Sequence, residues 1–590
     1  MDLKIFYTEK VEKLSMLIAA RKAKSRKYII CEIWFFISFV GLFIWGFADG
    51  KSLNILFAAL TMLCAYIIVR IRDSKNSCVV HELVCKSAVY EDEIKYINGD
   101  FSVFDDGEIY SNPSHCFAFD LDIFGKDSLY NRINRTVTSG GSKALAENLG
   151  NISYKDAASA IKELAENEPL RTNFIAAGKA SKKKIDTDVL VKVLHDVKTM
   201  NIPEWAILKS VFIFAWIIIV GFYASVMSSL FGFVSINVPL WWGITQFFLV
   251  LLFCLKPLKM IMQATGEIHD QIKSYIHLIK ILSEVDFQTE LNKRVVRDLD
   301  GAIVSFADLE KIMKGLDRRA NALGMFFFNV LFLSDFFLIR DFLKWQRTFM
   351  NRVGTWVNAV SDMDARVSMS VMRFNHPETT DAEVIEDDKI IYEADGLYHP
   401  FIGRNAVRND FNIADHNYYI ITGANMAGKS TFLRAVGINY VLAMNGMPVF
   451  ANHLKVSEYN LFSSMRTTDD LAHGISYFNA ELLRLRQLID VCRNSKHTLI
   501  ILDEILKGTN SLDKLNGSRL FLESISQLPV SGIIATHDLE LSNMTEKNAS
   551  QFHNYCFEIE LGEKVTYSYK ITPGVARNQN ATYLLKQILQ

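Results

Sequence analysis

Thr422-Gly423-Ala424-Asn425-Met426-Ala427-Gly428-Lys429-Ser430-Thr431 is a complete phosphate-binding loop. It lies between an apolar run, Tyr418-Tyr419-Ile420-Ile421, that reads as a buried strand, and Phe432-Leu433-Arg434-Ala435-Val436, which opens a helix. The G-x-x-x-x-G-K-S pattern has its mechanism only in that strand-to-helix setting. Backbone N–H groups from Gly423 to Ser430 converge there on a phosphate, helped by the positive end of the helix dipole. Lys429 would reach the β- and γ-phosphates of ATP, and the Ser430 hydroxyl would take Mg²⁺. Ala424, Asn425, Met426, Ala427, Gly428 and Thr431 complete the expected cradle.

Downstream, Thr498-Leu499-Ile500-Ile501-Leu502 has the continuous apolar character of a central parallel strand and delivers Asp503-Glu504 at its end. Asp503 is expected to hold Mg²⁺, and Glu504 to orient or deprotonate the attacking water. Leu506-Lys507-Gly508-Thr509-Asn510-Ser511 is rich in turn formers and reads as a loop beside the nucleotide. A further run, Ser531-Gly532-Ile533-Ile534-Ala535, ends at Thr536-His537-Asp538, where His537 is suited to sense the γ-phosphate. Between loop and acids, Asp469 to Glu481 combines a glycine, a serine and a helix start, so Ser476 and the helix after it can receive phosphate oxygens. Three strand ends carrying Gly423, Asp503 and His537 predict a parallel sheet with its site at the carboxyl edge.

Working outward, 590 residues leave room for two to four domains. The net charge of -1 gives no global reason to expect a polyanion partner, so any DNA surface must be local. Half of the residues are hydrophobic, which fits a globular body carrying membrane segments. The runs 29–48 and 53–69 are separated by four residues and read as one membrane hairpin; 210–230 and 239–255 form a second, with Trp205, Trp241 and Trp242 as interfacial anchors. Arg21, Lys22, Lys24, Arg26 and Lys27 precede the first span, and Arg70, Arg72 and Lys75 follow the second. Lys256 and Lys259 follow the fourth, whereas the hairpin tips carry only Lys51. The positive-inside bias then predicts a multi-pass protein of the cytoplasmic (inner) membrane with its ATPase domain in the cytoplasm and lipid as a partner.

Glu32 is expected to be an interfacial side chain reaching water, with a functional intramembrane carboxylate as the alternative, and 323–333 a buried soluble helix, with membrane contact as the alternative. Lys182-Lys183-Lys184 reads as a solvated helix end. The eight cysteines show no metal-type pairing and read as free thiols of a reducing compartment.

The residues TGANMAGKST and DEILKGTNSLDK, with DDLAHGISYF between them and ATHDLEL after, resemble the motifs of the MutS ATPases in identity and order. The resemblance covers Tyr392 to the carboxyl terminus, with His399-Pro400 similar to the turn before the family's ATPase sheet. Tyr567 to Ile571, Pro573 to Ala576 and Asn580-Ala581 are similar to its final strand and dimer-forming helices. Leu129 to Thr138 and the helix 142–149 resemble, more weakly, the start of its core helical domain. The resemblance implies a P-loop NTPase of MutS/ABC type at the carboxyl end, an all-α core and lever domain, and about four transmembrane helices. The expected segments are 1–75, basic segment and first hairpin; 76–209, core; 210–255, second hairpin at the lever tips; 256–385, levers and core; and 386–590, the ATPase domain.

The same resemblance implies a homodimer through the ATPase domains, with Ser476 of one copy facing the γ-phosphate held by the other and Asn425 helping to join them. Adenine stacking is expected near Tyr398 to Phe411, yet the matching position is Ala406 or Val407. The family's amino-terminal mismatch-reading domain with its Phe-x-Glu wedge has no counterpart in 1–75, and Phe521-Leu522-Glu523 falls on the helix after the paired acids. The expected activity is ATP hydrolysis coupled to lever movement, with mismatched-DNA binding and DNA repair carried by the family. An ABC-like transporter or envelope-associated mechanochemical ATPase is an alternative, although the four spans carry few polar residues. A nucleotide-gated scaffold is a third, disfavoured by the intact Lys429, Asp503, Glu504 and His537.

Overall fold

The computed structural model describes residues 2–48, 53–181, 184–200, 202–265, 269–319, 322–466, 477–495, 497–561 and 565–577. The chain divides into two compact units. One comprises 1–100, 136–142 and 167–364; the other takes in 101–135, 143–166 and 365–590.

The first unit is helical. The basic segment and the first apolar run form one helix, α1 (Leu3–Ala48), and the second run begins α2 (Leu53–Ile97). At 1.5 Å per residue, α1 is about 69 Å long, and its largely apolar run 29–48 accounts for about 30 Å of that, a bilayer's hydrocarbon thickness. The two helices run antiparallel: Lys4 Nζ donates to Asn98 at 3.0 Å, Asn76 Nδ2 to the Arg21 carbonyl at 3.0 Å and Ser25 Oγ to Asp73 at 2.6 Å. Glu32 departs from expectation. It is packed between the helices and paired with Arg70 at 3.2 Å instead of reaching outward, because burying a carboxylate there requires a cation beside it.

The helix α3 (Ser139–Gly150), of which only 139–142 belong to this unit, follows Val137 and Thr138, whose backbone N–H groups donate to Asp364. Next, α4 (Glu168–Lys179) holds the hairpin through Glu168, which accepts from Lys10 Nζ at 3.0 Å and from the Tyr90 hydroxyl. The second apolar pair is α5 (Lys209–Leu230) and α6 (Asn237–Thr265), the latter continuing past Pro257. Then come α7 (Ala302–Arg319), α8 (Ala322–Phe332), α9 (Ser334–Phe349) and α10 (Val353–Asn375). Among the described residues, α1, α2, α5 and α6 are long and apolar enough to cross a membrane by length and composition. Helix α8 is not the buried helix expected at 323–333: Phe327 and Phe332 are half exposed.

The second unit contains two sheets. A four-stranded sheet has the order β1-β5-β2-β3, from β1 (Glu383–Ile385), β2 (Tyr392–Leu397), β3 (Asn409–Ile413) and β5 (His453–Ser457). The six-stranded sheet has the order β10-β9-β4-β8-β7-β6. Its strands are β4 (Tyr418–Gly423), β6 (Asn460–Ser464), β7 (Thr498–Asp503), β8 (Val530–Thr536), β9 (Phe552–Leu561) and β10 (Val565–Pro573). All pair parallel except β10 on β9.

Helices α11 (Lys429–Met444), α12 (Tyr477–Asn494) and α13 (Ser511–Ile525) pack on this sheet. Tyr418, Ile420, Ile500, Leu502 and Ile534 share a core with Leu488, Leu522 and Ile525 of the covering helices. On the other face, Gly437 of α11 lies beside Ile501. Coverage of both faces explains why these strands read as unbroken apolar runs. The edge strand β6 is covered by 114–122: Ser463 N donates to the Cys116 carbonyl at 2.8 Å, and Arg484 pairs with buried Asp120 at 3.3 Å. Phe521 and Leu522 are core residues of α13. None of the eight cysteines is disulfide-bonded.

Candidate functional site

Parallel pairing in register sets the site. Asp503 lies opposite Ala535, and Ala535 opposite Ile421, so the carboxyl ends of β7, β8 and β4 form one row. The chain leaves that row through the 424–428 loop, through Glu504 and through His537, which brings three distant stretches of sequence to one edge.

Ser430 Oγ donates to Asp503 Oδ2 at 2.5 Å, so the two oxygens expected to hold Mg²⁺ are already together. Both are hard donors, and Mg²⁺ commonly takes one or two protein oxygens and completes its shell with water and phosphate. The residues therefore fit the ion. Among the described residues no group of three or more His, Cys, Asp or Glu side chains offers a competing metal site.

Lys429 is buried, with Nζ donating to the Gly423 and Ala424 carbonyls at 2.9 and 3.0 Å. Burial pushes its ammonium down to about 8, against the opposing attraction of Asp503 and Glu504. A phosphate in the loop would offer that cation charged acceptors in place of neutral carbonyls. Gly428 is left-handed (φ 108°), and a Cβ there would come within 3.1 Å of the Tyr569 ring, so glycine keeps loop and ring together.

Glu504 also adopts a left-handed backbone (φ 59°), a conformation costing a non-glycine residue about 1 kcal/mol or more. Its N–H donates to the Ala535 carbonyl at 2.8 Å, which continues the sheet ladder and helps fix that turn. The carboxylate lies 3.3 Å from Lys514 Nζ and 3.4 Å from His537 Nε2. Burial, and then the Lys429 charge, hold His537 below the ordinary imidazole range, so it is neutral at neutral pH and can accept or donate a hydrogen bond.

Two contacts escaped the sequence reading. Glu481, buried on α12, accepts from the backbone N–H groups of Lys507 and Gly508, both at 3.0 Å, and so ties down the loop after the paired acids. Lys514 belongs to a helix that only the tertiary fold brings to Glu504.

Around these groups is a cavity of about 910 Å³, ample for a nucleotide, whose wall includes Asn425 to Phe432, Asp503, Glu504, Lys507 and His537. Ala406 and Val407 line the far wall with Ile402 and Asn405, while Tyr569 supplies an aromatic ring from β10. Tyr569 sits at a register shift between Tyr567 and Ile571 with φ 53°, and its carbonyl accepts from Asn409 Nδ2 at 3.1 Å. The bulge explains why the ring turns into the cavity. Stacking was expected near Tyr398 to Phe411; Tyr398 of that range lines the cavity, and Tyr569 adds a second tyrosine from far along the chain. His399 also lines the cavity and is pushed down to about 4, chiefly by burial. Ser476 lies outside the described residues, as do Asn580 and Ala581.

Residues 419–586 match the family model MutS domain V. The chain is similar to "DNA mismatch repair protein MutS" of Acetivibrio thermocellus, 32% identical over 39% of this chain and 27% of that protein. It is also similar to the proteins of that name from Ehrlichia ruminantium, 28% identical over 40% of this chain and 30% of that protein, and from Aquifex pyrophilus, 33% identical over 30% and 21%. The matched stretch spans less than a third of these relatives. The family resemblance of the motifs is thereby borne out.

Proposed function

We propose that this MutS-related chain is a membrane-anchored ATPase that binds and hydrolyses ATP at sites completed by a second copy, and that it couples the nucleotide cycle to movement of its helices. One observation carries the reading: Lys429, Ser430, Asp503, Glu504 and His537 meet at the carboxyl ends of three adjacent parallel strands. Lys429 exchanges its loop carbonyls for phosphate oxygens. Glu504, held between Lys514 and His537, orients the attacking water and takes its proton. Neutral His537 hydrogen-bonds the γ-phosphate or that water. Ser430 and Asp503 would hold Mg²⁺, which when bound would offset negative charge on the phosphates.

In the proposed dimer, Ser476 of each copy contacts the γ-phosphate bound by the other. ATP then drives closure only in so far as the closed pair binds it more tightly than the open one. Anchoring rests on α1, α2, α5 and α6, whose length and apolar character suit a bilayer. The names of the relatives extend the proposal to DNA.

The test is Glu504→Gln. The proposal expects retained nucleotide binding with turnover reduced by about 10²-fold or more. Unchanged turnover would remove Glu504 from its role, and failure of the unaltered protein to bind Mg·ATP would end the ATPase reading. The DNA branch is tested separately: retention of the detergent-solubilised protein on mismatched duplex should weaken steeply with salt.

A further inference from the structure

Helix α8 is eleven residues of sequence ALGMFFFNVLF without a charge. Phe327 is 56% exposed and Phe332 49%, and apolar surface left in water forgoes the stabilisation of burial. The exposed rings continue an apolar surface already present on the neighbouring helix. Phe326 packs on Phe247 of α6 with ring centroids 5.0 Å apart, and Val330 approaches Gly243, where a Cβ would be only 3.0 Å from its methyl group.

Near its carboxyl end, two carbonyls and one buried side-chain amide of this helix find partners inside the protein. Gln246, buried in the apolar stretch of α6, donates to the carbonyls of Asn329 and Val330 at 3.3 and 3.0 Å. Both carbonyls belong to the final turn of α8; that of Asn329 also accepts from Leu333 N at 3.1 Å, whereas that of Val330 relies on Gln246, since an α-helix runs out of its own N–H partners there. Asn329, fully buried, donates to the Met325 carbonyl at 2.9 Å and accepts from Asp335 N at 2.9 Å and Ser334 Oγ at 3.3 Å. Water would satisfy an exposed helix end without such help, whereas hydrocarbon leaves each unpaired group costing several kcal/mol. The flanking charges are held by the protein: Arg319 pairs with Asp335 at 2.9 Å, Arg318 lies over the Phe328 ring at 5.5 Å, and Arg340 donates to the Ala206 carbonyl at 3.0 Å.

We propose that α8 enters the lipid bilayer beside α6 without crossing it, and that phospholipid acyl chains cover Phe327 and Phe332. At 1.5 Å per residue the helix is about 16 Å long, roughly half of a ~30 Å hydrocarbon core. This rests on the reading of α5 and α6 as membrane spans. The Gln246 and Asn329 contacts are the reason the helix can end there.

The test uses the full chain in phosphatidylcholine and phosphatidylglycerol vesicles, with the photo-crosslinker p-benzoylphenylalanine placed singly at positions 327, 332, 217 and 304. Ile217 of α5 and Val304 of α7 are both exposed and serve as references. After irradiation, mass spectrometry reads phospholipid adducts. Adducts at 217 and at 327 or 332, with none at 304, are expected. An adduct at 217 with none at 327 and 332 overturns the proposal and leaves the membrane reading standing. So does a crosslink from 327 and 332 to a second copy in place of lipid, or an adduct at 304 as strong as theirs. Absence of adducts at all four positions removes the membrane reading and this inference together.

Discussion

Lys429 and His537 face each other across the phosphate site, the ammonium nitrogen 3.4 Å from Nε2 and 3.5 Å from Nδ1 of the imidazole. Burial holds the Lys429 ammonium down to about 8, and burial followed by the Lys429 charge lowers the His537 imidazole. A bound triphosphate would supply the countercharge that the buried ammonium lacks.

Nucleotide affinity should therefore carry a pH signature. Free Lys429 titrates at about 8, and a bound triphosphate raises it, so binding takes up a proton above that pH. The dissociation constant should be level just below pH 8 and should weaken by up to about tenfold per unit above it. Calorimetric titration of ADP and ATP from pH 7 to 9.5 checks this, and Lys429→Met should bind weakly without the break.

Tyr569→Ala should weaken ATP and ADP by about tenfold, the value of one aromatic stacking contact, while Tyr569→Phe stays near the parent. Equilibrium titration with a fluorescent nucleotide reads the difference. Equal affinity of parent and alanine variant would show that the ring does not stack on the base.

Glu481→Ala leaves the N–H groups of Lys507 and Gly508 without their acceptor, at a cost of about 1–3 kcal/mol each where they stay dry. The loop carrying Lys507 into the cavity then loosens, so turnover should fall more than nucleotide affinity. Glu481→Gln, which keeps one acceptor, should lie between. Steady-state hydrolysis and urea midpoints report both effects.

Asp364→Ala should destabilise the helical unit by about 3 kcal/mol or more, since the carboxylate accepts from Val137 N, Thr138 N and the Thr138 hydroxyl at 3.1, 2.9 and 2.6 Å. Burial pushes Asp364 up from 3.8 to about 6, so the folded protein holds this proton where the unfolded chain has lost it. The stability from that proton is complete below about pH 4 and is lost as pH rises through about 6. Asp364→Asn cannot titrate and should lack that slope in urea unfolding across pH 4 to 7.

Much of the site was legible from local pattern. The loop 422–431, the acids after β7 and the histidine after β8 each pair an apolar run with a chemical group at its end, and parallel pairing in one register makes those ends meet. The tertiary contacts were not legible. Glu481, Lys514 and Tyr569 carry no local signal, because their roles depend on where a helix face or a strand bulge arrives in space. The exposure of Phe327 and Phe332 within 323–333 was not legible because a short apolar run looks the same whatever surrounds it.

By itself, then, the order of residues determined which segment carries the phosphate-loop pattern between a strand and a helix and which helices are apolar enough for a membrane, since both follow from composition and period within neighbouring elements. Only the folded chain decided that Glu32 pairs with Arg70, that Gln246 satisfies the end of α8 and that Tyr569 lines the cavity. Those outcomes depend on which surfaces meet across long stretches of sequence, and the partner a buried polar group finds there is fixed by packing geometry that no local window contains.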